Sequence, residues 1–229
     1  MGFFNGNQQL NPDEERERKD ISEKWVWRAL TYFANLVLLN LLFLLCSLPV
    51  ITIGVSYGAM HTQLRKMKEG EDVVVVGFFR AFADQFKQTT ISWGLFLIPG
   101  IWLMMEANML IETEAEVPVL IYVSLIVPSI VYLALLPWVL IQASYFTCTT
   151  AQQIKNSLLF AVRLLPQTIV MVILELFPLY VFLMKTVAFF RVWPLWLFLY
   201  FSASGMIVVN ITRIPMARLK MQLSEREDD

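Results

Sequence analysis

The chain has 229 residues, of which 57% are hydrophobic and only 16% charged, with a formal net charge of −1. Soluble domains carry about a quarter charged residues, so a water-exposed fold of this length could not cover its surface. The near-neutral balance excludes nucleic acid as a partner, and one histidine with two cysteines leaves zinc or iron without a ligand set.

Residues 1–28 form a polar N-terminal segment. It is followed by an apolar block with no small-residue cleavage site, so the block is expected to stay in the mature protein as a membrane helix rather than leave as a signal. A helix needs roughly 20 apolar residues to cross the hydrocarbon layer. Five blocks meet or approach that length: Ala29–Ile53, Thr89–Met105, Pro118–Tyr145, Gln167–Met184 and Val192–Thr212. Backbone polar groups in lipid must be satisfied within the segment, which makes these blocks helices. The expected fold is therefore all-α: a polytopic transmembrane bundle over 29–213 with five or six spans, two cytoplasmic amphipathic helices, and a charged cytoplasmic tail at 214–229.

Charge in the linkers sets the sidedness. Arg65–Lys87 holds five Lys/Arg, whereas Glu106–Val117 holds four glutamates and no base. The positive-inside rule then places the first linker, the Lys155–Arg163 linker and the C-terminus in the cytoplasm, and the glutamate loop outside. The turn Lys185–Arg191 must be external despite its two bases, whose long side chains can snorkel. Five crossings would leave the N-terminus outside, although the five Lys/Arg of residues 1–29, beside six Asp/Glu, favour the cytoplasm. Six would bring it in, provided that the chain turns at Pro49 and returns through Ile51–Leu64. That return carries Gly54, Ser56, Gly58, Ala59 and His61, and small residues suit close helix packing in membranes.

Two linkers have helical amphipathicity. Phe79, Phe82 and Phe86 line one stripe opposite Arg80, Asp84 and Lys87, and Ile154–Arg163 behaves similarly, so both predict helices lying on the membrane surface. Leu48-Pro49 before Ser56-Tyr57 is echoed at one common offset by Leu136-Pro137 before Ser144-Tyr145, and Gln88-Thr89 is echoed at a shorter offset by Gln167-Thr168. The echo suggests two halves, each with an apolar helix, an LP break, a basic amphipathic helix and a second apolar helix. Internal repeats of this kind are frequent in transporters.

The candidate intramembrane polar site is Glu175 with Asn40 and Asn35. A carboxylate inside a span costs about 2.5–3.5 kcal/mol on insertion scales, which makes Glu175 a functional candidate by default. A structural role is the alternative, with water or Arg163 as its partner. Asn35 and Asn40 suit interhelical hydrogen bonds or contact with a solute. His61 reads as a proton carrier or as a cap of the return helix. Trp25, Trp27, Trp93, Trp193 and Trp196 fall near span ends, as interfacial anchors do. Prolines 49, 99, 128, 137 and 178 are candidate helix breaks. Cys46 and Cys148 read as small buried residues. No nucleophile elbow, phosphate loop or metal-ligand spacing occurs, so no catalytic residue, metal or cofactor is expected and the chain does not read as an enzyme.

The run Asn40-Leu41-Leu42-Phe43-Leu44-Leu45-Cys46-Ser47-Leu48-Pro49-Val50-Ile51-Thr52-Ile53-Gly54 resembles the signature of YesL-like bacterial membrane proteins. Met1-Gly2-Phe3-Phe4-Asn5, Phe78–Gln88, Lys155-Asn156 and Leu165-Pro166 are similar too, and the charged stretch Asn11–Glu23 departs from the pattern. The resemblance implies a multi-pass membrane protein of a family without an assigned biochemical activity, whose genes often lie near carbohydrate-uptake and polysaccharide-degradation genes. It suggests two roles in the cell membrane. One is an accessory or regulatory component partnered with a carbohydrate transporter subunit. The other is a permease-like subunit of an ATP-driven sugar importer, since Ala151–Pro166 ends in a Leu-Pro like the coupling loop of such permeases, although it lacks their glycine near Gln153.

Overall fold

The structure is a computed structural model that describes residues 12–71, 74–112, 118–146, 149–184 and 186–227. Among the described residues every regular element is a helix. They are α1 (Pro12–Cys46), α2 (Ile53–Lys68), α3 (Val74–Glu112), α4 (Val119–Gln142), α5 (Thr150–Arg163) and α6 (Leu165–Met184). Short α7 (Thr186–Arg191) and α8 (Trp193–Leu195) then lead through a π-helical turn, Trp196–Tyr200, into α9 (Phe201–Glu227). Five stretches are long and apolar enough to cross a bilayer: Lys24–Cys46, Val74–Glu112, Val119–Gln142, Leu165–Met184 and Trp193–Arg218.

The return after Pro49 is present, and it forms the centre of the bundle. Gly54, Ser56, Gly58 through Leu64 and Met67 of α2 are all buried. Phe43 of α1 packs on Tyr57, with ring centroids 6.4 Å apart, while Gly205 of α9 abuts Met60 and Leu64. Tyr32 reaches Met206 beside them. Hence α1 and α2 run antiparallel as a hairpin. With 16 residues, α2 rises about 24 Å, short of the roughly 30 Å of hydrocarbon. Small residues make this central position possible: α3 and α4 close on Gly54 and Gly58, and α9 on the Met60–Leu64 turn.

The hairpin tip has no charge, and Leu45, Leu48, Val50 and Ile51 are exposed on it. A turn with such an apolar surface needs its backbone groups satisfied internally. Ser47 N–H donates to Phe43 O (2.9 Å) and Thr52 N–H to Pro49 O (2.9 Å). The Thr52 hydroxyl lies 2.7 Å from the Cys46 carbonyl, and the Trp93 indole N–H donates to Val50 O at 2.7 Å. Pro49 stops the ladder, Thr52 occupies a carbonyl left by α1, and Gly54 lets Trp93 close over the start of α2. The Leu48–Gly54 run is thus the sequence of a sealed tip.

Pro137 does not repeat that break. It stays inside α4, as Pro128 does, while Pro99 and Pro178 stay inside α3 and α6. Ser56-Tyr57 is helical in α2, whereas Ser144-Tyr145 lies in the turn after α4. A proline removes one helical hydrogen bond, and neighbouring helices of a membrane bundle absorb that loss. The Leu-Pro break of the sequence echo is therefore not repeated.

The two amphipathic stretches have different fates. Phe78–Lys87 is the first half of α3 and continues without a break into the apolar span. Its inward face is Val74, Phe78 and Ala81, while Phe79 and Phe86 point outward. The second stretch is a separate helix, α5. Its N-terminus carries a capping box, with Thr149 and Gln152 each bonded to the other's backbone N–H. It is keyed into the bundle by polar residues: Gln153 and Ser157 are buried, and Leu158, Leu159 and Val162 are exposed.

Candidate functional site

A cavity of about 170 Å³ opens where α1, α2, α3, α4, α6 and α9 converge. Glu175 of α6 is its one carboxylate, and Phe43, Tyr57, Trp93, Tyr200 and Phe201 supply aromatic walls. The Tyr57 hydroxyl donates to Glu175 Oε1 at 3.0 Å. Tyr57 rather than Arg163 is therefore the partner of Glu175, and Arg163 is exposed at the end of α5. One turn along α2, the His61 ring packs on Tyr57 with centroids 4.4 Å apart. His61 is buried well inside α2 and does not cap it. Among the described residues neither ring nitrogen has a partner.

Asn40 serves a different part of the fold. Its amide N–H groups reach Trp196 O (3.0 Å) and Leu197 O (2.6 Å), and its carbonyl accepts from Ser202 N–H (2.9 Å). The two carbonyls open the π-helical turn and the Ser202 N–H lies just past it, where the widened ladder displaces the usual i→i−4 pairs. One buried amide from α1 thus replaces the missing partners. Asn35 is half-buried on the same helix and does not join this network. The three sequence candidates therefore do not converge: Glu175 faces the cavity, Asn40 holds the α9 entry, and Asn35 stands apart. Asn40→Ala is expected to lower unfolding stability by about 2 kcal/mol, the sum of several interhelical bonds, whereas Asn35→Ala should change it by less than about 0.5 kcal/mol. Unfolding in mixed micelles of increasing dodecyl sulfate content, followed by circular dichroism, measures both.

The tryptophans divide in the same way. Trp25, Trp27 and Trp193 are exposed, as anchors should be, but Trp93 and Trp196 are buried. Trp93 seals the hairpin tip. Trp196 stacks on Phe189 at 5.3 Å between centroids and donates to the Phe189 carbonyl. A second, more apolar cavity of about 490 Å³ lies between α3, α4 and α6, with Gly100, Ser129, Tyr132 and Leu179 among its walls and Trp93 shared with the first.

One end of the bundle is fastened by Arg65. Its guanidinium donates to Ser144 O (3.1 Å), lies 5.3 Å from the Tyr145 ring centroid and pairs with Glu69 at 3.6 Å. Tyr145 meets Thr212 of α9 at 3.3 Å, and burial pushes its phenol above the ordinary value. Cys46 is a free, half-buried thiol, and Cys148 and Lys185 lie outside the described residues. Among the described residues, no group of three His, Cys, Asp or Glu is placed to hold a metal ion.

Sequence reasoning missed Tyr57, Thr52, Trp93 and Gln153 as partners. Only Thr52 lies in the run that holds Pro49 and Gly54, and Trp93 read as an interfacial anchor.

A hairpin of this kind inside five long apolar helices defines a polytopic α-helical membrane protein. Residues 36–107 match a family described as "Protein of unknown function, DUF624". The matched segment takes in the last third of α1, the sealed tip, all of α2 and most of α3, including Trp93. No curated protein and no solved structure matches the chain.

Proposed function

We propose that the protein is a non-catalytic, multi-pass, YesL-like component of the bacterial cell membrane that serves carbohydrate uptake by engaging a transporter subunit rather than by conducting sugar. One observation supports this most: three of the polar side chains that the spans bring inside hold the bundle's own helices together. Asn40 is committed to α9, Gln153 to α3 and α4, and Glu175 to Tyr57. A sugar needs many hydrogen-bonding partners in a site of roughly 300–1,000 Å³. The cavity beside Glu175 is smaller, at about 170 Å³, with mostly apolar walls, and the one of about 490 Å³ between α3, α4 and α6 is large enough but offers few polar groups besides Ser129 and Tyr132. Linker charge further supports a cytoplasmic C-terminus. Affinity purification of the full chain from native membranes should recover a carbohydrate-transporter component. Recovery of the chain alone, with sugar uptake unaltered in a deletion strain, would rule this reading out.

The permease-like reading draws on α5, a short helix that ends at Arg163 and passes at once into α6. In that case the chain should copurify with an ATPase subunit, and Lys155→Glu, on the exposed side of α5, should weaken the association.

A further inference from the structure

We infer that the cavity against Glu175 is a binding site for a small organic cation of the alkylammonium type. The charge is the first argument. Glu175 brings a carboxylate into the interior, and no lysine, arginine or histidine is among the residues lining the cavity. Its only hydrogen bond among the described residues is from the neutral Tyr57 hydroxyl to one oxygen. The site therefore lacks positive charge, while the bilayer around it supplies no solvation.

The walls are the second argument. Phe43, Tyr57, Trp93, Tyr200 and Phe201 surround the cavity, and aromatic faces attract cations most strongly where water is excluded. The same walls exclude other ligands. Hard metal ions require six or more oxygen ligands, far beyond one carboxylate. Sugars would leave most hydroxyls unmatched, because the Tyr200 hydroxyl already donates to Leu174 O. Anions meet the carboxylate. Size agrees with the assignment, since the volume of about 170 Å³ is close to that of an engineered cavity of roughly 150 Å³ that takes up benzene.

Full-length protein in a maltoside detergent, free of choline-headed lipid, is titrated with tetramethylammonium and, separately, with the neutral isostere tert-butanol. Saturable binding of the cation is expected, with the alcohol weaker by at least about tenfold. Glu175→Gln should weaken tetramethylammonium by at least about tenfold and leave the alcohol unchanged. Glu175→Asp, which keeps the charge, should retain most of the affinity. If the glutamine variant fails to fold, the wild-type comparison with the aspartate variant still decides. No saturable cation binding, equal binding of the alcohol, or unaltered binding in a folded Glu175→Gln variant would overturn the proposal. None of these results bears on whether a transporter subunit copurifies.

Discussion

Gly54→Ala is expected to lower unfolding stability by about 1–3 kcal/mol, the range for forcing a group into a full interior, while Gly94→Ala leaves stability unchanged or slightly raised. A Cβ at position 54 would lie 2.6 Å from Trp93 Cβ and 2.9 Å from its Cγ, with Leu140 at 3.2 Å. The obstructing atom is the first of the Trp93 side chain, so no rotamer change removes it; α3 itself must move. That displacement would draw the indole N–H away from the Val50 carbonyl and leave an open acceptor in the apolar tip. At Gly94, in the same helix, an added Cβ meets nothing within 4 Å, and alanine favours a helix over glycine by about 1 kcal/mol. Dodecyl sulfate titration of the two variants against the parent reads the contrast. Equal stability of all three would show that Trp93 does not close on α2.

Hydropathy located the spans because the cost of placing polar backbone or charge in hydrocarbon depends on local composition alone. The blocks Pro118–Tyr145 and Gln167–Met184 thus return nearly unchanged as α4 and α6, Val119–Gln142 and Leu165–Met184. Ala29–Ile53 divides where Pro49 predicts. What composition does not encode is direction within the membrane. Phe79, Phe82 and Phe86 suggested a helix lying on the membrane surface, yet the segment runs on into the span of α3 with Phe79 and Phe86 outward. The outer face of a membrane helix is apolar too, so the stripe cannot tell lipid from core. The inward faces are instead picked out by polar residues that find partners from distant segments. Glu175 meets Tyr57 across 118 positions, and Asn40 meets Trp196 across 156. Such pairs carry no local period. The π-helical turn was invisible for the same reason, since its stabilising amide sits on another helix.

Gln153 illustrates the rule with the second large effect. Its side chain is fully buried and joins three helices: the amide N–H donates to the Val139 carbonyl, and the oxygen accepts from Ser92 (2.8 Å) and Gln88 (3.4 Å). Val139 lies in the last turn of α4, where helical carbonyls lack intrahelical donors, and the Ala143 N–H bonds to Ile141 instead. Gln153 therefore acts as a C-terminal cap for α4 supplied by α5. Around it Gln142 donates to the Gln153 carbonyl (3.1 Å), and so does the Ser157 hydroxyl (2.7 Å). Gln153→Ala leaves the buried Val139 carbonyl without its side-chain donor, which costs about 1–3 kcal/mol, and takes from Ser92 one of its two acceptors, the Gln88 carbonyl at 3.0 Å remaining. A loss of about 2–3 kcal/mol is expected, with α5 the element released. Tryptic cleavage after Arg163, which ends α5, should accelerate in this variant. Lys155→Ala, on the exposed side of the same helix, should change neither stability nor cleavage after Arg163. Unaltered cleavage in Gln153→Ala would mean that α5 is held by its apolar contacts at Phe160 and Ala161 rather than by its buried amide.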